Sequence, residues 1–250
     1  MISIVGVGKT DIGLRRTQNQ DSIFVSNEPV GMLPNLYIVA DGMGGHNAGN
    51  VASKYAIHFF CEFIKDFDLS DSNIHTALKS AVKYANSKVY EMSLENSGYT
   101  GMGTTLVALT IIGSLACVAN VGDSRAYYLT ENEISQITVD HSFVGEMVRA
   151  GNLTEEEAQN HPNRSNITRA VGSEENVMVD VFNQRLDYNS SVILCSDGLS
   201  NMLDNSELLT IANNKALDLT ASVANLVESA NIKGGLDNIS VIKVLCEEVQ

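Results

Sequence analysis

Five aspartates stand where apolar runs break into short, mostly glycine-bearing loops, a placement that suits hard-cation chemistry. Asp41 opens D-G-M-G-G-H directly after the apolar run Leu36 to Ala40. Asp123 lies in N-V-G-D-S-R, Asp197 in C-S-D-G-L and Asp237 in G-G-L-D-N, while Asp21 closes R-R-T-Q-N-Q-D. A carboxylate at a strand tip, followed by glycine, lets an ion reach both the side chain and the backbone carbonyl. Donor sets built from oxygen alone suit Mg2+ or Mn2+, whereas zinc favours histidine and cysteine. Any one of these motifs reads equally well as an ordinary turn, because Asp and Gly are turn residues. The five together point to a hard-cation site.

The elements that must carry these residues are legible from periodicity. Ile2 to Val7 predicts a strand, and Leu36 to Ala40 a buried strand with Asp41 at its end. Val51, Tyr55, Phe59, Phe60, Phe63, Ile64 and Phe67 recur at helical spacing, as do Ile74, Leu78, Ala81, Val82, Ala85, Val89 and Met92. Thr104–Ile112, Ser114–Val121 and Arg125–Thr130 predict a meander with turns at Gly113-Ser114 and Gly122-Asp123. The stretch 141–172 is polar, with short helical pieces around Phe143–Ala150 and Thr154–Gln159. Strands resume at Val177–Leu186 and Val192–Cys195. A helix bearing Leu219, Val223, Leu226, Val227 and Ala230 then precedes a last strand, Ile239–Leu245. Runs of strands followed by helices predict an α+β fold with antiparallel sheets.

Composition narrows the function classes. With 250 residues, 44% of them apolar, the chain suits one domain with a sizeable core, and no linker or repeat divides residues 1–250. Sixteen basic against 30 acidic residues leave a formal charge of -14, which opposes nucleic-acid and anionic-membrane binding. The acidity serves solubility, cation binding, or both. Cys61, Cys117, Cys195 and Cys246 lie in apolar runs without C-x-x-C spacing, so they read as small buried hydrophobes in a reducing compartment. None has arginine six positions later, which removes a cysteine-based phosphatase loop. No signal-peptide core or membrane-length apolar stretch is present, so a cytoplasmic location is expected. Gly8-Lys9-Thr10 imitates the end of a nucleotide-binding loop, but Ser3 stands where that motif requires glycine.

Taken in order, T-D-I-G-L-R-R-T-Q-N-Q-D, V-A-D-G-M-G-G-H, G-T-T, N-V-G-D-S-R, D-H-S, H-P with I-T-R-A-V-G, C-S-D-G-L and G-G-L-D-N-I-S-V-I resemble the metal-dependent protein phosphatase family. These are the type 2C serine/threonine phosphatases, here in their short bacterial form, and the resemblance runs from Thr10 to Leu245. It implies a central β-sandwich of two antiparallel sheets flanked by helix pairs, a four-layer αββα arrangement, as one catalytic domain with a flap around 141–172. It implies two or three Mn2+ or Mg2+ ions. Asp41 would bridge two of them, with the Gly42 carbonyl as a further ligand. Asp197 and Asp237 would hold the first, Asp21 the water shell of the second, and Asp123 a third. Arg16 would grip phosphate and Asn238 support Asp237. A metal-bridged water would then hydrolyse phosphoserine or phosphothreonine without a covalent intermediate. The implied partners are phosphorylated proteins and a cognate Ser/Thr kinase, with no nucleic acid and no membrane.

Two positions depart from the wider family. Gln20 stands where many relatives carry glutamate, so less charge faces the second cation. Met43 stands where eukaryotic relatives place a histidine assigned as general acid, which leaves His46 as the nearby candidate. His58 and His75 read as helix-surface groups, and His141 and His161 as shaping the flap. Arg164 and Arg169 are either substrate contacts or surface charge. A catalytically inactive phosphoprotein-binding relative would be signalled by a missing metal aspartate; Asp41, Asp197 and Asp237 are all present.

Overall fold

A computed structural model of the chain describes residues 2–44, 48–67, 73–154, 157–158 and 161–248. The first sheet has the order β1 (Ile2–Asp11), β11 (Ile239–Glu248), β10 (Ser190–Cys195), β7 (Arg125–Leu129), β8 (Ile134–Gln136). The second has the order β2 (Asp21–Ser26), β3 (Leu36–Met43), β5 (Leu106–Ile112), β6 (Leu115–Val121), β9 (Asp180–Arg185), with the two-residue β4 (Gly103–Thr104) beside β3. Every pairing is antiparallel.

The sheets face each other across a dry layer that includes Tyr37, Val39, Leu109, Val118, Leu194 and Ile242. Against the outer face of the second sheet lie α1 (Ala48–Asp66) and α2 (Ile74–Glu95). Against the outer face of the first lie α5 (Asn205–Ala212) and α6 (Leu219–Ile232). Two shorter helices, α3 (Phe143–Arg149) and α4 (Asp197–Ser200), sit in the connections. The result is the expected four-layer α+β sandwich. Because β5 and β10 are covered on both faces, their sequences read as unbroken apolar runs instead of alternating ones.

Three local expectations change. The predicted meander is only a hairpin: β5 and β6 pair, but after Gly122-Asp123 the chain crosses to the other sheet, where β7 pairs β10 and β8. That crossover lifts Asp123 to the sandwich edge. The α1 face that meets the sheet is Ala48, Ala52, Ala56, Phe60 and Ile64, not the aromatic ridge. Small residues let the helix lie close to the bulky strand face. Phe59 and Phe63 instead turn sideways onto Tyr84 of α2, with ring centroids 6.3 and 5.4 Å away, and Tyr55 stays exposed. Finally, α5 appears where no apolar period announces it. Asp204 caps Glu207 N–H at 2.9 Å while Glu207 returns a bond to Asp204 N–H at 3.0 Å, a reciprocal capping box. The expected helical piece at Thr154–Gln159 falls largely outside the described residues.

All four cysteines are buried and free. Among the described residues no helix is long and apolar enough to cross a membrane.

Candidate metal centre

Antiparallel pairing sets Asp21 of β2 directly opposite Asp41 of β3. Directly opposed residues share one face of a sheet, so two carboxylates point the same way. The G-T-T motif fastens the second of them. Asp41 N–H donates to Thr105 Oγ1 at 2.9 Å, and Asp41 O accepts from Thr105 N–H and Thr104 Oγ1, each at 2.9 Å. Thr105 Oγ1 also meets Ser124 Oγ at 2.7 Å, so the same threonine steadies the loop that carries Asp123.

The first sheet brings the remaining carboxylates. Asp197 follows β10 as the first residue of α4, and Asp237 precedes β11. Close backbone approach makes this possible. A Cβ on Gly198 would lie 1.9 Å from Asn238 O, and one on Gly42 would lie 2.0 Å from Gly49 O. Only glycine fits at either point, which accounts for both Asp-Gly pairs. Asn238 then ties its own loop to the 12–20 loop at three points. Its Oδ1 accepts from Gln20 N–H at 2.9 Å, and its Nδ2 donates to Ile12 O and Gln18 O at 2.9 and 3.0 Å.

Arg16 is placed at the rim. Its Nη2 lies 2.6 Å from Asp237 Oδ2, with both side chains partly exposed, and the bonded carboxylate holds the guanidinium pKa above its ordinary value. Arg16 therefore stands beside the acidic cluster, ready to exchange one oxyanion partner for another.

Burial and crowding disturb the carboxylates strongly. Burial, opposed in part by hydrogen bonds from neighbouring serines, pushes Asp21 up to about 7. Burial, with the charges of Asp197 and Asp140, pushes Asp123 up to about 7. Asp41 is held well above the usual carboxylate range by burial and by Asp21, Asp197, Asp123 and Asp237. Asp197 is raised by burial and then by Asp237. Negative groups thus crowd a poorly hydrated site, an arrangement that costs stability unless a cation compensates it.

The oxygens fit such a cation. Asp21 Oδ2 accepts from Ser196 Oγ at 2.8 Å and Asp197 Oδ2 from Asn201 Nδ2 at 3.0 Å, while Oδ1 of each is buried without a hydrogen-bond partner. Buried acceptors are seldom left orphaned unless something else binds them. Among the described residues no three His, Cys, Asp or Glu side chains close into a compact ligand shell. The carboxylates raise one another's pKa without closing on a single point, and hard cations commonly complete their shell with water.

The structure brings together Asp21, Asp41, Asp123, Asp197 and Asp237, with Gly42 packed beside them, Arg16 at the rim and Gln20 and Asn238 behind. His46 lies outside the described residues. Thr104 and Thr105 were legible only as part of G-T-T and Ser196 as part of C-S-D-G-L, none with a role, and Asn201 was not singled out. Ser196 stands next to Asp197 and Asn201 one helical turn after it, whereas nothing local links the two threonines to Asp41.

The D-H-S motif acts through other residues. Asp140 takes Arg125 in a forked pair, with Arg125 Nη2 2.7 Å from Asp140 Oδ2. His141, 2% exposed, locks the Asp123 loop from behind. Its N–H donates to Gly122 O at 3.0 Å and its Nδ1 accepts from Gly122 N–H at 3.1 Å. That leaves the proton on Nε2, which donates to Asp180 Oδ2 at 2.8 Å. Burial lowers its pKa, in keeping with a neutral ring. Arg169 Nη1 reaches the same Asp180 oxygen at 3.2 Å, so this arginine is engaged within the protein. His58 pairs with Glu62 at 3.6 Å on α1 and His75 with Asn183 at 2.8 Å, surface roles as expected.

Comparison with known proteins follows the same lines. The profile of the protein phosphatase 2C family matches residues 14–238. The chain is 38% identical over 242 residues to the serine/threonine phosphatase stp of Listeria welshimeri, covering 94% of this chain and 93% of that protein. The solved serine/threonine phosphatase of S. agalactiae superimposes with a TM-score of 0.89 at 38% identity, over 96% of this chain and 98% of that one. The catalytic domain of the phosphatase PstP in complex with two manganese ions superimposes with a TM-score of 0.85 at 30% identity, over 99% and 100% of the two chains.

Proposed function

We infer that this chain, which belongs to the protein phosphatase 2C family and is a metal-dependent protein serine/threonine phosphatase, builds its cation site from Asp41, Asp197, Asp237, Asp21 and Asp123 with the Gly42 carbonyl. The observation that carries this assignment is the pair of buried, unpartnered Oδ1 atoms on Asp21 and Asp197 within one cluster of raised carboxylates. Asp41, which feels the other four charges, would be the carboxylate shared by two cations. Asp197 and Asp237 would hold the first, Asp21 the water shell of the second, and Asp123 a third. Mn2+ or Mg2+ bound there supplies Lewis acidity that lowers the pKa of water toward neutrality.

The chain's own groups do the rest. Arg16 leaves Asp237 to fork onto phosphate oxygens, orienting phosphorus and offsetting charge as it builds. Thr104 and Thr105 fix the backbone of Asp41, and Ser196 holds the Asp21 carboxylate, so little reorganisation is needed. Gln20 and Asn238 keep the 12–20 loop against the site. His46 stays a candidate proton donor to the leaving serine or threonine oxygen.

The chain works as one catalytic domain, and the segment 141–172 serves as its flap. What supports the flap is its fastening at both ends. His141 grips Gly122 at one end, and at the other Val171 pairs with Thr104 while Gly172 N–H donates to Asn86 Oδ1 at 2.7 Å. Its substrates are phosphorylated proteins, supplied by a cognate Ser/Thr kinase. Four buried free thiols support a reducing, cytoplasmic setting.

The test is phosphate release from a phosphothreonine peptide with and without Mn2+, by native protein and by Asp41→Asn. Metal-dependent release by the native protein and its loss in the variant is the expected result. Full activity in Asp41→Asn would overturn the bridging role.

A further inference from the structure

The loop carrying Arg16 and the loop carrying Asp237 also carry exposed apolar side chains that neither the core nor the cation site uses. Leu14 is 65% exposed, Leu236 is 49% exposed, and Ile232 at the end of α6 is 78% exposed. Single exposed leucines need no account. Leu14 and Leu236 sit on two loops that are pinned together, and Ile232 ends the helix that leads into the second. Leu14 N–H donates to Gly235 O at 2.8 Å. Gly13, at φ +78°, lies so close to the second loop that a Cβ there would meet Asp237 O at 2.1 Å. Leu14 Cγ lies 2.9 Å from where a Cβ on Gly235 would stand, so Leu14 covers that glycine.

Beside Leu14 opens a surface cleft of about 350 Å³, lined by Lys9, Asp11, Leu14, Glu228, Asn231 and Ile232. It is large enough for one amino-acid side chain. Leu14, Val227 and Ile232 give it an apolar wall, and Lys9, Asp11, Glu228 and Asn231 supply both signs of charge and an amide. Leu14 is two residues from Arg16 along the turn at 13–15, at most about 7 Å of chain. The cleft therefore opens close to the arginine that a substrate's phosphate would reach.

We propose that this cleft is a substrate subsite taking an apolar side chain of the phosphoprotein, with Leu14 and Ile232 as the residues that set the preference. The proposal rests on the phosphatase function above, because it requires a phosphorylated polypeptide at Arg16. The accommodated residue lies about two to four positions from the phosphorylated serine or threonine, since extended chain advances ~3.3 Å per residue. The subsite acts on polypeptide substrates alone; a small aryl phosphate has nothing to place in it.

The experiment uses phosphothreonine peptides in which a leucine, or an aspartate in its place, is moved through the flanking positions, with p-nitrophenyl phosphate as a second substrate, all with Mn2+. The native protein should favour one leucine-bearing peptide by about five- to tenfold in kcat/KM, mostly through KM, the scale of one apolar contact in an open site. Leu14→Ser and Ile232→Ser should each erase most of that preference and leave p-nitrophenyl phosphate turnover unchanged. Equal losses on peptide and p-nitrophenyl phosphate, or no preference in the native protein, would overturn the subsite while the phosphatase function stands. Failure of the native protein to turn over either substrate would overturn both together. Concentration-dependent self-association abolished by Ile232→Ser would assign this face to a second copy of the chain and overturn the subsite.

Discussion

Asp21 and Asp41 are direct cross-strand partners, two buried-side carboxylates paired where a sheet ordinarily places complementary groups. Like charges directly opposed destabilise a ladder, and here Asp21 is 6% exposed with one oxygen unpartnered. The pair fits the proposed cation site, to which Asp197, Asp237 and Asp123 would be added from the opposite sheet and the crossover. Stability has been given up locally so that charge is already in place when a cation arrives.

Removing one carboxylate should therefore separate stability from binding. Asp21→Asn keeps an acceptor for Ser196 Oγ and deletes a charge opposed to Asp41. In the absence of metal the variant should be more stable than the native protein by about 1 kcal/mol. Calorimetric titration with Mn2+ should show weaker binding by more than the tenfold to hundredfold that loss of an outer-shell partner costs. A variant that is less stable without metal would argue against stored repulsion.

Stability of the metal-free protein should fall as pH rises. Asp21 and Asp123 titrate near 7 in the folded chain, against an ordinary value of 3.8. Their folded pKa values are raised, so the folded state holds more protons than the unfolded one between those limits. The stability they contribute is complete below about pH 4 and is lost as pH passes about 7. Thermal unfolding in chelator should show Tm dropping from about pH 5.5 to about pH 8. Mn2+ should restore it, with a gain that grows with pH and with protons released on binding.

Arg16 should matter for phosphate and little for folding. Its pairing with Asp237 is partly exposed, and such ion pairs contribute at most about 1 kcal/mol. Arg16→Ala should leave Tm within a few degrees, yet lower kcat/KM on phosphopeptides by about a hundredfold and weaken inhibition by inorganic phosphate. Arg16→Lys keeps the charge but not the planar fork, and should recover only a small part. Steady-state kinetics with phosphate as inhibitor distinguish the two.

His141 should act as an anchor for the Asp123 loop. His141→Ala strands the buried Gly122 N–H, while the part-exposed Asp180 keeps Arg169, and should cost about 1–3 kcal/mol in denaturant unfolding. His141→Asn can still accept from Gly122 N–H and should recover about half. If the anchor serves Asp123, the weakest Mn2+ step in a calorimetric titration should be lost in the alanine variant and return in the asparagine variant.

Much of this protein was legible in its sequence, because the signals are local. Apolar runs closed by Asp-Gly marked strand ends at Asp41 and Asp197, and 3.6-residue periodicity marked α2 and α6. Motif order carried the family and the α+β sandwich, and it singled out the five aspartates that the fold gathers into one cluster. What was not legible depends on distance through the fold. Nothing near Arg16 announces Asp237, 221 residues away, and nothing near Asp21 announces Ser196, 175 residues away. The Gly122-Asp123 turn looks like a hairpin until the chain crosses between sheets, because local turn chemistry does not say which strand comes next. The large apolar residues marked α1 but not all of its buried face: Phe60 and Ile64 reach the sheet, while the close approach of the helix to a bulky strand face selects Ala48, Ala52 and Ala56 beside them. Residue types and spacing were enough to name the candidate cation ligands and the elements that carry them. Which oxygens lack partners and which arginine stands beside them became visible in the fold alone, since both follow from packing two sheets face to face so that loops distant in sequence meet at one end.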